Sequence, residues 1–264
     1  MFKNKNNIKI KMFVGALSLF AVTSSCEDLV NEVPISEISQ ENFFRNNNDL
    51  LSGLAATYDG MQGTYNDKTF LWGEFRSDNH AEFGVSGGNN IEILDNNIPA
   101  GNGGARWDRF YRMINRANQV INNAPRISGF NEQILGEALA IRAKAYFDAV
   151  RVWGDVPVFL ESEIVLSNVE KTRTDATEIL NTIVIPDMIR AESLMTTLSD
   201  DFRFSKSSIY ALQAEVYMWV NDNAKAKTAL DALVNLGTHS LATTPEAWDS
   251  MFYNNRPVTA IPEG

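Results

Sequence analysis

The chain has 264 residues, with 23 Lys and Arg against 33 Asp and Glu, a formal net charge of −10. So acidic a balance excludes most nucleic-acid binders, which need basic patches to displace counterions from phosphates. An apolar fraction of 44% is enough for a core and excludes general disorder, while one Cys and two His exclude a disulfide framework and most metal clusters.

The N-terminus reads as an address. Residues 1–11 are basic and Asn-rich, and residues 12–22 form an apolar run. Spanning a bilayer takes roughly 20 such residues, so this run is too short for a permanent membrane helix and suits a signal-peptide core. Thr23-Ser24-Ser25-Cys26 comes next, with small residues directly before the sole cysteine. That pattern predicts a lipobox in which Cys26 is acylated; the alternative is an incidental cysteine near an ordinary cleavage site. Losing residues 1–25 removes four lysines and no acid, which leaves a net charge of −14. Residues 26–40 begin Glu27-Asp28 and stay polar through Pro34, as a tether would. Acids directly after a lipidated cysteine are similar to the signal that sends some Gram-negative lipoproteins to the cell surface.

The body, 41–264, is expected to be mainly α. Apolar residues recur at helical spacing over Asn48–Gln62, Arg106–Asn122 and Glu132–Val152. The third helix is expected to stop at Trp153-Gly154-Asp155-Val156-Pro157, where Gly can cap and Pro cannot continue. Thr174–Leu198 is helical in pattern but holds Pro186, which predicts a kink or break near Val184–Ile185. Ser207–Val220 and Asn223–Leu236 read as a tetratricopeptide-like hairpin. In it Ala211, Ala214 and Ala224 would let the helices cross closely, and Tyr217, Leu230 and Leu233 would fill the space between. Val156–Phe159 is a short extended candidate.

Residues 63–104 do not read as helix and hold eight of the sixteen glycines and seven asparagines. A loop much longer than about 15 residues inside a compact domain is usually functional or disordered. Trp72, Arg76, Asp78, Asn79, His80 and Phe83 lie within it, as does Phe75. Sugar rings stack their C–H faces on aromatics, and their hydroxyls need donors and acceptors, so this mix suits a sugar. The same composition also fits a surface loop whose aromatics pin it to the body.

Other chemistry has little support. His80 and His239 have no second ligand at metal spacing. The Gly-Gly pairs at 87–88 and 103–104 lack the Lys-Ser or Lys-Thr of a phosphate loop. Asp148, Arg151 and Asp155, around Trp153, are read as helix-end and turn contacts.

Several segments together resemble the SusD/RagB family of outer-membrane nutrient-uptake lipoproteins. They are the signal with Cys26, Phe43-Phe44 with Asp49-Leu50 and Tyr58, and Trp107 with Phe110-Tyr111 and Ile114-Asn115-Arg116-Ala117-Asn118. The most distinctive is the block from Glu137 to Asp148 running into Val150-Arg151-Val152-Trp153-Gly154-Asp155-Val156-Pro157, with Ser208 to Trp219 beyond it. The resemblance implies a helical scaffold that binds a nutrient, often an oligosaccharide, and is not an enzyme. It implies a lid over a TonB-dependent transporter of the SusC type, and no cofactor. It also implies that one wall of the ligand site comes from the loop before the Trp107 helix, here 63–104. Family members are about twice this length, so 41–264 is expected to be the N-terminal portion of the scaffold. The alternative is a helical-repeat adaptor that binds only protein.

Overall fold

The computed structural model describes residues 43–66, 68–81, 88–162 and 170–252. The signal segment 1–25, Cys26, the tether 26–40 and Phe83 lie outside the described residues. The chain divides into two units between Phe43 and Phe44, and the helices named below belong to the second, Phe44–Gly264.

Helix α1 (Asn47–Tyr65) starts at Asn46, whose side chain accepts from the Asn48 and Asp49 amides at 2.8 and 3.2 Å. Asp49 reaches back to the Arg45 amide at 3.0 Å, so the first turn is satisfied from both sides. The expected loop 63–104 is instead built of short helical pieces: α2 (Lys68–Trp72), a 3₁₀ turn (Glu74–Arg76), α3 (Asn89–Leu94) and a second 3₁₀ turn (Gly103–Ala105). Helices this short are marginal by themselves. Packing of buried Leu71 and Ile93 holds them, together with Asn102, whose side chain accepts from Gly104 N and donates to Asn89 O and Glu92.

Helix α4 (Asp108–Asn123) packs along α1, and α5 (Glu132–Trp153) packs across both. Almost every side chain of α5 from Ile134 to Val150 is buried, which makes it the axis of the core. Its alanines let neighbours approach, and at Gly136 a Cβ would stand only 3.2 Å from the Ala191 carbonyl oxygen. Gly154, at φ 70°, ends the helix as the sequence suggests.

The region around Pro186 stays helical. Helix α6 (Ala176–Ile179) passes through a π turn (Leu180–Val184) into α7 (Ile185–Leu194), with Pro186 in the first turn of α7. The wider π turn absorbs the proline without interrupting the helix. Among the described residues there is no strand; Val156 makes one isolated antiparallel bridge to Thr174.

Helices α8 (Lys206–Trp219) and α9 (Asn223–Asn235) form the expected hairpin. Asn221 turns the chain at φ 62°, and Asp222 caps α9 by accepting from Lys225 N. The packing stripe differs from expectation. Ala211, Ala224 and Leu230 are exposed, while Ala214, Ala226 and Ala229 are buried with Tyr217. Ala226 and Ala229, one turn apart, face the hairpin interior, so Leu230 is rotated off it.

Three buried ions tie the helices to α5. Glu137 accepts from Tyr58 at 2.7 Å and from both Arg203 Nε and Nη2 at 2.9 and 2.7 Å. Arg142 grips Asp187 with two bonds of 2.7 and 2.9 Å and donates to Asn118 at 2.9 Å. Asp148 accepts from Tyr65 and Lys144, each at 2.6 Å, and pairs with Arg151, which also reaches Glu215 on α8. Asp155 accepts from the Ala176 amide at 2.9 Å. Asp148, Arg151 and Asp155 are therefore structural, but the first two form an interhelical network rather than a helix-end contact.

Candidate functional site

A cleft of about 460 Å³ lies where the 63–104 segment meets the N-terminal end of α4 and the C-terminal end of α5. That volume falls in the range of small-molecule sites, roughly 300–1,000 Å³. Trp72, Trp107 and Trp153 line it, with Arg76, Arg106 and Arg173 and the apolar Ile93, Ile98 and Pro99.

Trp153 is the hub of the aromatic wall. Its ring meets Trp72 at 5.2 Å, Phe110 at 5.3 Å and Trp107 at 6.1 Å between centroids, all edge to face. These are favoured geometries for aromatic pairs. Trp72 closes α2 and is fixed by donating its indole N–H to the Gly104 carbonyl at 2.9 Å. That bond joins the first and last pieces of the 63–104 segment. By contrast, the buried Trp153 Nε1 has no hydrogen-bond partner among the described residues.

The arginines come from three separate parts of the chain. Arg76 donates to Asn96 Oδ1 at 2.8 Å, and Asn96 donates back to the Arg76 carbonyl at 3.3 Å. Arg106 pairs at 3.0 Å with Asp108, an exposed residue outside the lining. Arg173 lies over the Trp107 ring at 5.0 Å, a cation–π distance, and donates to the Asp155 carbonyl at 3.3 Å.

Of the six residues picked from the sequence, the structure brings Trp72 and Arg76 into this cleft. Asp78 and Asn79 are exposed outside its lining, and Asn79 donates to Glu74 at 3.1 Å. His80 belongs to a separate knot, edge to face with Phe70 at 5.2 Å and tilted against Phe75 at 5.7 Å. Phe83 lies outside the described residues. The reason for the split is the 3₁₀ turn Glu74–Arg76, which turns the chain away from the cleft directly after Arg76. Sequence reasoning misses Trp107, Trp153, Arg106 and Arg173 as lining. Trp107 and Trp153 carry a signal, large indoles at a helix start and a helix end, but the same positions serve equally well as scaffold.

Two neighbouring hollows share walls with the cleft. One, of about 470 Å³, runs past Trp107 to Tyr111, Arg112 and Phe159. Another, of about 430 Å³, runs past Trp72 to Lys144, Asp148 and Arg151. Burial pushes the Tyr111 and Tyr65 hydroxyls above the usual tyrosine range. Both are neutral donors, Tyr111 to the Pro157 carbonyl and Tyr65 to Asp148. Among the described residues no group of His, Cys, Asp and Glu could hold a metal ion, and no helix is long and apolar enough to cross a membrane.

Comparison with known proteins agrees with this architecture. A SusD-like family model, described as starch-binding and associating with the outer membrane, matches residues 35–218. The SusD-like protein P38 of Formosa agariphila is 40% identical over 96% of this chain and 50% of its own length. The SusD-like protein P2 of the same organism is 28% identical over 86% of this chain and 46% of its own. The chain thus spans about half the length of the curated relatives it matches. Among solved structures, a laminarin-binding SusD-like protein is similar with a TM-score of 0.62 and 27% identity, covering 72% of this chain and 44% of that one. A SusD superfamily protein from Bacteroides vulgatus has a TM-score of 0.67 at 22% identity, covering 75% and 50%. With the family model covering most of the chain and a 40% identical relative along nearly all of it, the chain belongs to the SusD-like family.

Proposed function

We propose that this protein is a cell-surface lipoprotein that captures an oligosaccharide and passes it to a TonB-dependent outer-membrane transporter of the SusC type, without altering it chemically. The observation that carries this reading is the cleft walled by Trp72, Trp107 and Trp153 beside three arginines. Indole faces offer C–H stacking surfaces, and guanidinium groups offer hydrogen-bond donors to hydroxyl and acid oxygens. Family membership and the likeness to a laminarin-binding protein support it. Anchoring is assigned to acylated Cys26, since several acyl chains hold a protein stably at a membrane.

Affinity electrophoresis against a polysaccharide panel tests the binding step: at least one glycan should retard the protein, and Trp107→Ala should abolish the retardation. Uniform migration across the panel would overturn it. Release of reducing sugar from a retained glycan would overturn the non-enzymatic part. Cys26→Ala should free the protein from membranes.

A second reading, an adaptor that binds only protein, is favoured by one feature. Met218, Trp219, Leu230 and Val234 of the α8–α9 hairpin are large, apolar and exposed. On that reading Trp72→Ala and Trp107→Ala leave function intact while a membrane partner still co-purifies.

A further inference from the structure

The geometry points to an anionic glycan, one bearing carboxylate or sulfate groups, as the occupant of the Trp72–Trp107–Trp153 cleft. This inference rests on the glycan-binding reading and adds the chemical class of the ligand.

The hydrogen-bonding capacity of the lining is one-sided. Among the described residues, the only polar side chains lining the cleft beyond the indoles are Arg76, Arg106 and Arg173; no Asp, Glu, Asn or Gln is with them. An Arg guanidinium donates five N–H bonds and accepts none, and an indole N–H also only donates. The side-chain lining is therefore donor-only. A neutral sugar hydroxyl both donates and accepts, so a site built for neutral sugars pairs donors with acceptors. A donor-only wall matches a group that only accepts, and carboxylate and sulfate are such groups. The Gly104 carbonyl, a main-chain acceptor at the cleft edge, already accepts one bond from the Trp72 indole.

Charge leads to the same conclusion. The chain carries a net −10, yet this lining gathers three cations and no anion. Among the described residues, two of the three, Arg76 and Arg173, hold neutral acceptors, Asn96 Oδ1 and the Asp155 carbonyl. Inside the scaffold, Arg142 is matched by Asp187 and Arg203 by Glu137, whereas exposed Arg109 and Arg126, like the cleft arginines, hold neutral acceptors. Arg76 and Arg173 retain guanidinium N–H groups for an incoming anion, and the planar fork suits a two-oxygen acid group.

The test is affinity electrophoresis of the full chain in three gels, holding laminarin (a neutral glucan), polygalacturonate (carboxylates) and a sulfated galactan. The expected result is retardation by polygalacturonate, by the sulfated galactan or by both, with laminarin leaving migration unchanged. Which anionic gel retards identifies the acid group. Arg76→Gln and Arg173→Gln should each weaken the retained interaction about tenfold. Added salt should weaken it further, as it does for exposed charges. Lys227→Gln, on the outer face of α9, controls for net charge and should change nothing. Retention by laminarin alone would overturn the anionic assignment while leaving glycan binding in place. Retention by none of the three overturns both. Anionic retention that survives the Arg76→Gln/Arg173→Gln double variant would also overturn the assignment to this cleft. Neither arginine is buried, so the variants should keep the native circular dichroism.

Discussion

The α5 scaffold and the cleft beside it handle charge in opposite ways. Along α5, Glu137, Arg142 and Asp148 are buried, and each is matched by opposite charge and further hydrogen bonds, from Arg203 before α8, from Asp187 of α7, or from Lys144 and Arg151 of α5 itself. In the cleft, Arg76 and Arg173 have neutral partners among the described residues and line the hollow. A buried ion must be matched internally, because desolvation costs several kcal/mol per ion. A cleft cation is solvated and need not be. Charge in the scaffold thus holds helices in register, whereas charge in the cleft stays available to a ligand.

The largest effect should come from breaking the scaffold side. Asp187→Ala leaves Arg142 buried with Asn118 as its remaining partner among the described residues. Removing one member of a buried pair costs about 3–5 kcal/mol. Urea denaturation should show a loss of that size; a change below about 1 kcal/mol would mean that water reaches the pair and that the contrast with the cleft is false. Asn102→Ala strikes the cleft's own support. Asn102 is 1% exposed, and its side chain makes three bonds that hold Asn89, Glu92 and Gly104 together. The expected cost is about 1–3 kcal/mol. It should appear first as faster amide exchange over 88–105, with protection of α5 unchanged, because local pieces open at lower free energy than the core.

Alkaline pH probes the scaffold through its tyrosines. Burial lifts the Tyr58, Tyr65 and Tyr111 hydroxyls well above the ordinary value of 10.0, and Tyr146 to about 12. A raised folded-state pKa favours the neutral form, so this stabilisation is complete below pH 10 and is lost as pH rises toward and past 12. Tyrosinate absorbance should therefore appear for these groups only as the fold is lost. Full ionisation at about pH 10.5 with native circular dichroism would show that they are not buried.

The scaffold is far more legible in the sequence than the cleft. Helices α1, α4 and α5 can be read because each presents a long apolar stripe. The pieces α2 and α3 escape because they are five and six residues long, too short for periodicity to register. Gly88, which precedes α3 at φ 79°, and Asn102, whose side chain caps the second 3₁₀ turn, look in sequence the same as loop composition. Arg173 could not be found at all: it reaches Trp107 only because the Val156–Thr174 bridge folds that stretch of chain back. Leu230 shows the converse limit, since an apolar stripe says that a face is buried against something but not against which neighbour.

The smallest expected effect tests the scaffold half of the comparison from the other end. Lys227 and Asp231 form a 2.6 Å pair on α9, as short as the bonds inside the scaffold, but their side chains are 76% and 57% exposed. If distance set the energy, Lys227→Ala would rival Asp187→Ala. Exposure sets it instead, because water and salt screen the attraction and both long side chains lose freedom in pairing. The double-mutant cycle on Lys227 and Asp231 should give about 0.3–0.5 kcal/mol, falling further in high salt. The same cycle on Arg142 and Asp187 should give several times more and show little salt dependence, because that pair is sheltered from the ions that would screen it. A coupling of equal size at the two sites would remove the distinction between matched interior charge and free surface charge on which the assignment of the cleft arginines depends.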